Sequence, residues 1–429
     1  MDTRNLLTWL SVMMVGCLVL GMVWSVKPLA VSAAATCPID NSVRLAASAI
    51  TVPHVHDVEL PSSTVSTVND NLPDPAAASD PAVITLTVRS SRSAEFRSQL
   101  AIRSKRWLSS IRRMLESPLA EQAGHNPFWD TEMRLENDAN PVTLLIGDNG
   151  VLVDPAASRS YQLPDSVGRQ FEAAVDGLRR LHYGKLLEWK EAKKVIPRMA
   201  KFTIVDLETG LEFQGQRRAG SAHADVQPLT ASDTDIMKQI YGGKWSWHRR
   251  AILIRTDKGN IAASMHGMPH GGDGIPGNRF NGHFCIHFAG STTHGSGSLD
   301  PAHQVMVHKA AGQLAEYLAG RSPLEIVELF AAAVNQQDPH LLSLVLEENA
   351  PDSPMMQVWI DPAITAVRKM NSDRDIPIAT DGHILTATAD IHLAMFRTGS
   401  RPISNWFRFR LRKLDASHPW TILSIESIR

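Results

Sequence analysis

Short apolar and β-branched runs separated by tight-turn signals constrain the middle of this chain to a β-rich fold. Phe202-Thr203-Ile204-Val205-Asp206 is followed by a turn at Glu208-Thr209-Gly210 and then Leu211-Glu212-Phe213. Further on, Ala251–Thr256 and Ile261–Met265 read as a hairpin across Asp257-Lys258-Gly259-Asn260. Between them Thr230 caps a helix with Asp233 in its first turn, running to Tyr241 and stopped by Gly242-Gly243. His266 therefore falls at a strand end. The glycine-rich stretch from His270 to Asn281 is expected to be a loop free to fold over a site. Asp300-Pro301 starts another helix, which ends before Gly320.

The flanks have different character. Leu6 to Val26 is apolar apart from Thr8, Ser11 and Ser25, long enough to span a bilayer, which takes about 20 residues. Residues 1–35 are read as either a signal peptide cleaved near Ala33-Ala34-Ala35 or a retained membrane anchor. Both readings put the rest of the chain outside the cytoplasm. Residues 36–82, rich in Pro, Ser, Asp and Ala, are expected to be a disordered linker, and His54 and His56 within them have no role.

Residues 83–195 read as an α+β region of unassigned role. It has a strand at Val83–Val88 and a basic amphipathic helix over Arg97–Leu115. A hairpin turns around Asp148-Asn149-Gly150, and a core-facing helix covers Asp165–His182. Residues 321–429 open on Ser322-Pro323-Leu324-Glu325, a capping box with proline at the first helical position. Asp338-Pro339 starts a second helix. Strands follow at Ile384–Met395, Trp406–Leu414 and Trp420–Ile428, with Phe407, Phe409 and Leu411 alternating against Arg408, Arg410 and Arg412. The whole is an α+β multidomain chain, with a β-rich central domain at 196–320.

With 43 Lys and Arg against 44 Asp and Glu, the chain carries no basic stripe of the kind that nucleic acid requires. Of its three cysteines, Cys17 lies in the apolar run and Cys37 just beyond it, so no disulfide framework is expected. That leaves Cys285, which needs its own explanation.

Cys285 sits in His283-Phe284-Cys285-Ile286-His287, so alternation puts a thiol and two imidazoles on one strand face. An imidazole can take the thiol proton, and only the thiolate attacks. The structural alternative makes Phe284, Ile286 and Phe288 core, with the histidines satisfied on the opposite face. With His266-Gly267 upstream and the glycine-rich loop between, the segment resembles the active site of bacterial cell-wall L,D-transpeptidases. The resemblance covers roughly Lys201 to Gly320.

It implies Cys285 as nucleophile, His283 as base and His266 as a group binding substrate or oxyanion, with His287 beside them. The chain departs from that family's pattern in three places. Gly282 stands where Ser or Thr is usual, Phe284 where glycine is usual and His287 where arginine is usual.

His223-Ala224-Asp225 forms a second constellation. With His266, His283 or His287 it offers a His/Asp set for Zn²⁺, and an activated water would then attack in place of the thiol. The simpler reading makes His223 and Asp225 loop hydrogen-bonders, with no metal or other cofactor. His294, His303 and His308 read as surface or helix residues. Gly267, His223, Asp225, Trp245 and Trp247 are the candidates for substrate contact, the two tryptophans sharing one face of a short strand within Lys244–Arg250.

The last domain is similar in element order to the cone-shaped nuclear-transport-factor-2-like fold, which implies a scaffold or ligand-binding role. The expectation is a bacterial cell-envelope protein that acts on peptidoglycan stem peptides by cysteine acyl transfer, as transpeptidase or peptidase. The alternatives are an inert wall-peptide or protein-binding module of the same fold, and a Zn-dependent amidase using His223, Asp225 and His266 or His283. The membrane is a partner only if the N-terminal segment is uncleaved.

Overall fold

The structure, a computed structural model, describes residues 64–67, 83–117, 121–122, 129–136, 141–147, 150–272, 274–294, 297–347, 353–370, 378–381, 384–415 and 418–428. The expected signal or anchor, Cys17, Cys37, His54, His56, the Asp148-Asn149 turn and most of the expected linker lie outside these residues. Among the described residues no helix is long and apolar enough to cross a membrane.

The first sheet gathers β1 (Thr64–Thr67), β2 (Ile84–Val88), β3 (Ser98–Ile102), β4 (Glu121–Gln122), β5 (Thr131–Leu135), β6 (Val142–Ile146), β7 (Val151–Asp154) and β8 (Arg159–Gln162). Its order is β1-β3-β2-β5-β6-β7-β8-β4. Thr64–Thr67, inside the stretch read as linker, thus adds an edge strand. Strand β2 buries Ile84, Leu86 and Val88 in one phase, with Thr87 on the other face also covered.

The stretch Arg97–Leu115 is not one helix. It begins as β3, and Ser104 then caps α1 (Lys105–Leu115), its hydroxyl accepting from the Trp107 backbone N–H at 3.2 Å. The apolar residues before Ser104 follow the strand period and those after it the helical one. Helix α2 (Asp165–His182) buries Val167, Phe171, Val175 and Leu178 against the same core, as its spacing predicts.

After α3 (Trp189–Val195) comes a closed six-stranded barrel: β9 (Lys201–Asp206), β10 (Glu212–Ala219), β11 (Ala224–Pro228), β12 (Arg249–Thr256), β13 (Gly259–His266) and β14 (Phe284–His287), ordered β10-β11-β14-β13-β12-β9. Helix α4 (Ala231–Ile240) is fixed by a capping box between Thr230 and Asp233.

Alternation sorts the barrel residues. Ile204, Phe213, Ala224, Val226, Ile252, Ile254, Ala263, Met265, Phe284 and Ile286 pack together in one core. Val205, Ala251 and Leu253, one position out of phase, join another. Helices α5 (Pro301–Ala310) and α6 (Leu314–Ala319) replace the single helix expected there. The break is at Gly312, whose φ of +66° disfavours a side chain, and where a Cβ would lie 2.4 Å from the Tyr183 ring.

The C-terminal unit opens with α7 (Pro323–Gln336), α8 (Pro339–Val345) and α9 (Pro354–Trp359). Strands β15 (Ile364–Lys369), β16 (Ile378–Asp381), β17 (Ile384–Arg397), β18 (Ile403–Lys413) and β19 (Thr421–Ile428) follow. Their sheet runs β15-β17-β18-β19, with β16 paired to β17. On β18, Phe409 and Leu411 are buried while Arg408, Arg410 and Arg412 pair with Asp390, Glu426 and Glu347.

Ile326, Leu329, Phe330 and Ala333 of α7 share one apolar cluster with Val205, Leu207, Ala251 and Leu253 of the barrel. The two units are therefore joined through a common core. At the coarse level the chain is α+β, with sheets, helices and one barrel.

Candidate functional site

The phase that sends Phe284 and Ile286 into the barrel core leaves Cys285 and His287 on the other face of β14. The same phase on the neighbouring strands places on this face Asp225 of β11, directly opposite Cys285, and Ser264 of β13, directly opposite His287, both buried. His223, His266 and His283 stand at strand ends on this face. Helix α5 covers it with His303, whose Nδ1 lies 2.9 Å from the Ser264 hydroxyl. The packing alternative read from the sequence is thus realised in its first half: Phe284, Ile286 and Phe288 are fully buried core.

Besides His303, two further residues absent from the candidate list, His270 and His294, complete the cluster. His270 forms an antiparallel bridge with His283, their backbone hydrogen bonds measuring 3.0 and 2.7 Å. This bridge explains Gly282, which has φ +99° and whose Cβ would lie 2.3 Å from the His270 carbonyl oxygen. Only glycine fits there. His294 comes from the loop after β14. The signal for His270 was present in Met268-Pro269-His270-Gly271-Gly272, a histidine among turn residues. Its partner could be found only once the loop closed.

The thiol meets His270. Cys285 Sγ lies 3.4 Å from His270 Nε2, while His283 directs its Nε2 at Asp225 Oδ1, 3.8 Å away. His270 Nδ1 is 3.0 Å from the Met268 carbonyl, which can only accept, so Nδ1 carries the proton and a neutral ring turns its Nε2 lone pair to the thiol. His266 is set the opposite way. Its Nδ1 accepts from the Met268 N–H at 3.4 Å, leaving Nε2 as the donor of the neutral ring.

Burial shapes the protonation of these groups. It pushes the Cys285 thiol well up, and the Asp225 charge adds to the effect. Burial, with cationic and imidazole neighbours, lowers His266 to about 2 and His287 to about 3, and also lowers His283 and His303. For Asp225 burial opposes the charge, but His223, His283 and His294 outweigh it and hold the carboxyl at about 2.

His287 stacks on His303 with ring centres 3.8 Å apart, and its buried Nδ1 has no hydrogen-bond partner. His303 is thus a buried member of the cluster, while His308 hydrogen-bonds the Gln304 carbonyl within α5.

Gly267 makes no open contact: its N–H donates to the Ser246 carbonyl at 2.8 Å, and the Tyr241 ring fills the space a Cβ would need. Trp245 and Trp247 lie in a loop and not on one strand face, because their rings diverge. Trp245 packs edge-on against Phe280, and Trp247 lies over His266 and His270 at 4.7 and 5.4 Å between ring centres.

Trp247 and Met268 also border a groove of 960 Å³ running to α7 and β15, with Glu328, Arg368 and Lys369 along it. Through Trp247, the imidazole side of the cluster therefore adjoins this groove. The arrangement can hold a thiol against a neutral imidazole beside a groove, and it can gather nitrogen and oxygen donors around Asp225. No known protein family matches the chain, and no curated protein matches it either.

Proposed function

We propose that the chain is a cell-envelope acyltransferase or peptidase in which Cys285 attacks a carbonyl of a peptidoglycan stem peptide. The observation that carries the reading is the Cys285–His270 contact, with His270 held in the accepting tautomer by the Met268 carbonyl. His270 replaces His283 in the role of base, and His283 supports the site through its backbone bridge to His270.

A thiol raised by burial rests as S–H, so attack requires the proton to move to His270 Nε2 as the sulfur–carbon bond forms. His266, donating from Nε2, suits the developing oxyanion. Collapse breaks the carbon–nitrogen bond, and the proton on His270 passes to the leaving amine. A thioester on Cys285 remains, to be taken by water or by a second amine. The resemblance of the His266–His287 segment to L,D-transpeptidases supports the substrate class, and the adjoining groove supports a role for the nuclear-transport-factor-2-like C-terminal unit in holding the peptide.

A second reading, an inert wall-peptide-binding module, is favoured by the depth of the thiol, which is 4% exposed. One experiment decides between them. The full chain is incubated with purified stem peptides, quenched in acid and measured by intact mass. Acyl-transfer chemistry gives an adduct of the acyl fragment on Cys285, absent in Cys285→Ala. Bound peptide with no adduct and no product assigns the chain to the binding module.

A further inference from the structure

We infer that His223, Asp225, His283 and His294 form a binding site for one divalent transition-metal cation of the zinc type. This goes beyond the acyl-transfer reading and stands without it, because neither Cys285 nor His270 is among the ligands.

The first support is geometry. The Nε2 atoms of His223, His283 and His294 lie 3.4, 3.8 and 3.4 Å from one atom, Asp225 Oδ1. The donor atoms of Asp225, His283 and His294 all fall within 4.8 Å of one another. The His223 and His294 rings meet edge-on with centres 4.2 Å apart. A tetrahedral ion with bonds of about 2.0–2.2 Å separates neighbouring donors by about 3.3–3.6 Å. Two of the three edges that meet at Asp225 Oδ1 are therefore at their length, and the third, to His283, is a few tenths of an ångström long.

The second support is proton bookkeeping at His223, independent of the clustering. His223 Nδ1 lies 2.7 Å from the Thr292 carbonyl oxygen. A carbonyl only accepts, so Nδ1 carries a proton, and Nε2 is the ring atom left to meet a ligand. That atom belongs to a side chain only 1% exposed, has no hydrogen-bond partner, and faces a carboxylate oxygen. A buried ring nitrogen with no hydrogen-bond partner beside a buried carboxylate is costly, and a cation between them would satisfy both. The Thr292 carbonyl then fixes ring orientation and tautomer, as outer partners of metal-bound histidines do.

The donor set also selects the ion. Three imidazoles and one carboxylate suit Zn²⁺ and its borderline neighbours, whereas Ca²⁺ and Mg²⁺ require oxygen ligands. His294, with its side chain 55% exposed, leaves a route in from solvent. Cys285 Sγ lies within 4.8 Å of the His223 and Asp225 donors, so it is the one thiol that competes for the ion.

The test uses the purified full chain, stripped with chelator and titrated with Zn²⁺ by calorimetry, then with Co²⁺ by absorption. The site predicts one Zn²⁺ per chain and a thermal midpoint that rises with Zn²⁺. It also predicts a tetrahedral Co²⁺ spectrum without a thiolate charge-transfer band. Asp225→Asn and His223→Ala each weaken Zn²⁺ binding at least about tenfold, and Cys285→Ala leaves it within about twofold. His294→Ala, at the exposed edge, weakens binding while keeping the unfolding midpoint of the metal-free protein, which separates ligand loss from misfolding. Absence of stoichiometric Zn²⁺ in the wild-type chain overturns the inference. So does a thiolate band with Co²⁺, or binding that survives Asp225→Asn and is lost in Cys285→Ala.

Discussion

Cys285 and His270 face each other sulfur to nitrogen at 3.4 Å, although His283 stands two residues away from the thiol on its own strand. Strand alternation places His283 and Cys285 on one face, but at that spacing side chains run parallel and their tips need not meet. The antiparallel return of the chain through His270 supplies the imidazole that meets the sulfur head-on. The same return fixes Gly282 and sets His270 over His283, with ring centres 4.4 Å apart.

Replacing Gly282 by alanine strikes at this return. The substitution places a Cβ at φ +99° and 2.3 Å from the His270 carbonyl oxygen. The expected cost is about 1–3 kcal/mol of stability, read from denaturant midpoints. Displacement of His270 is expected to slow reaction of the Cys285 thiol as well. Unchanged stability and unchanged thiol reactivity would show that the bridge does not position His270.

Phe284 occupies the place where the resembling family has glycine, and here it fills the barrel core against Phe213 and Phe280. Phe284→Ala is expected to destabilise the chain by about 3–5 kcal/mol, as for other fully buried aromatic residues. A loss below about 1 kcal/mol in chemical denaturation would contradict that placement.

The pair Glu208–Lys309 predicts an acid limb of stability. Burial opposes the Glu208 charge, but Lys309 outweighs it, with a hydrogen bond from Ser91, and lowers the carboxyl to about 2 from an ordinary 4.5. A folded-state value below the unfolded one stabilises fully above the unfolded value and is lost as pH falls. Unfolding midpoints should therefore drop between about pH 5 and pH 2. Glu208→Gln flattens this part of that slope and, by leaving Lys309 buried without its partner, costs about 3–5 kcal/mol at neutral pH. A Gln variant as stable as wild type at pH 7 would rule the pair out as a stabilising element.

How much of this was legible depended on whether the information was local. Ile204, Ile252, Phe284 and Ile286 announced the barrel phase through strand periodicity. Thr230–Asp233 and Ser322–Glu325 announced two helix starts through capping chemistry. The face carrying Cys285 and His287 followed from the same period. What escaped depended on distant partners. His270 needed the closed loop, the break at Gly312 needed Tyr183, and the divergence of Trp245 from Trp247 needed Phe280 on one side and two histidines on the other. Arg97–Leu115 misled because its apolar residues fit a helical stripe until Ser104 restarts the chain as a capped helix.

The most direct test of the central claim compares Cys285 alkylation by a small neutral electrophile in wild type, His270→Asn and His283→Asn at neutral pH. General-base assistance of the usual size predicts that His270→Asn slows the reaction by at least about tenfold, while His283→Asn, keeping the backbone bridge, stays within about threefold. The reverse order, with His283→Asn slow and His270→Asn unaffected, would contradict the account.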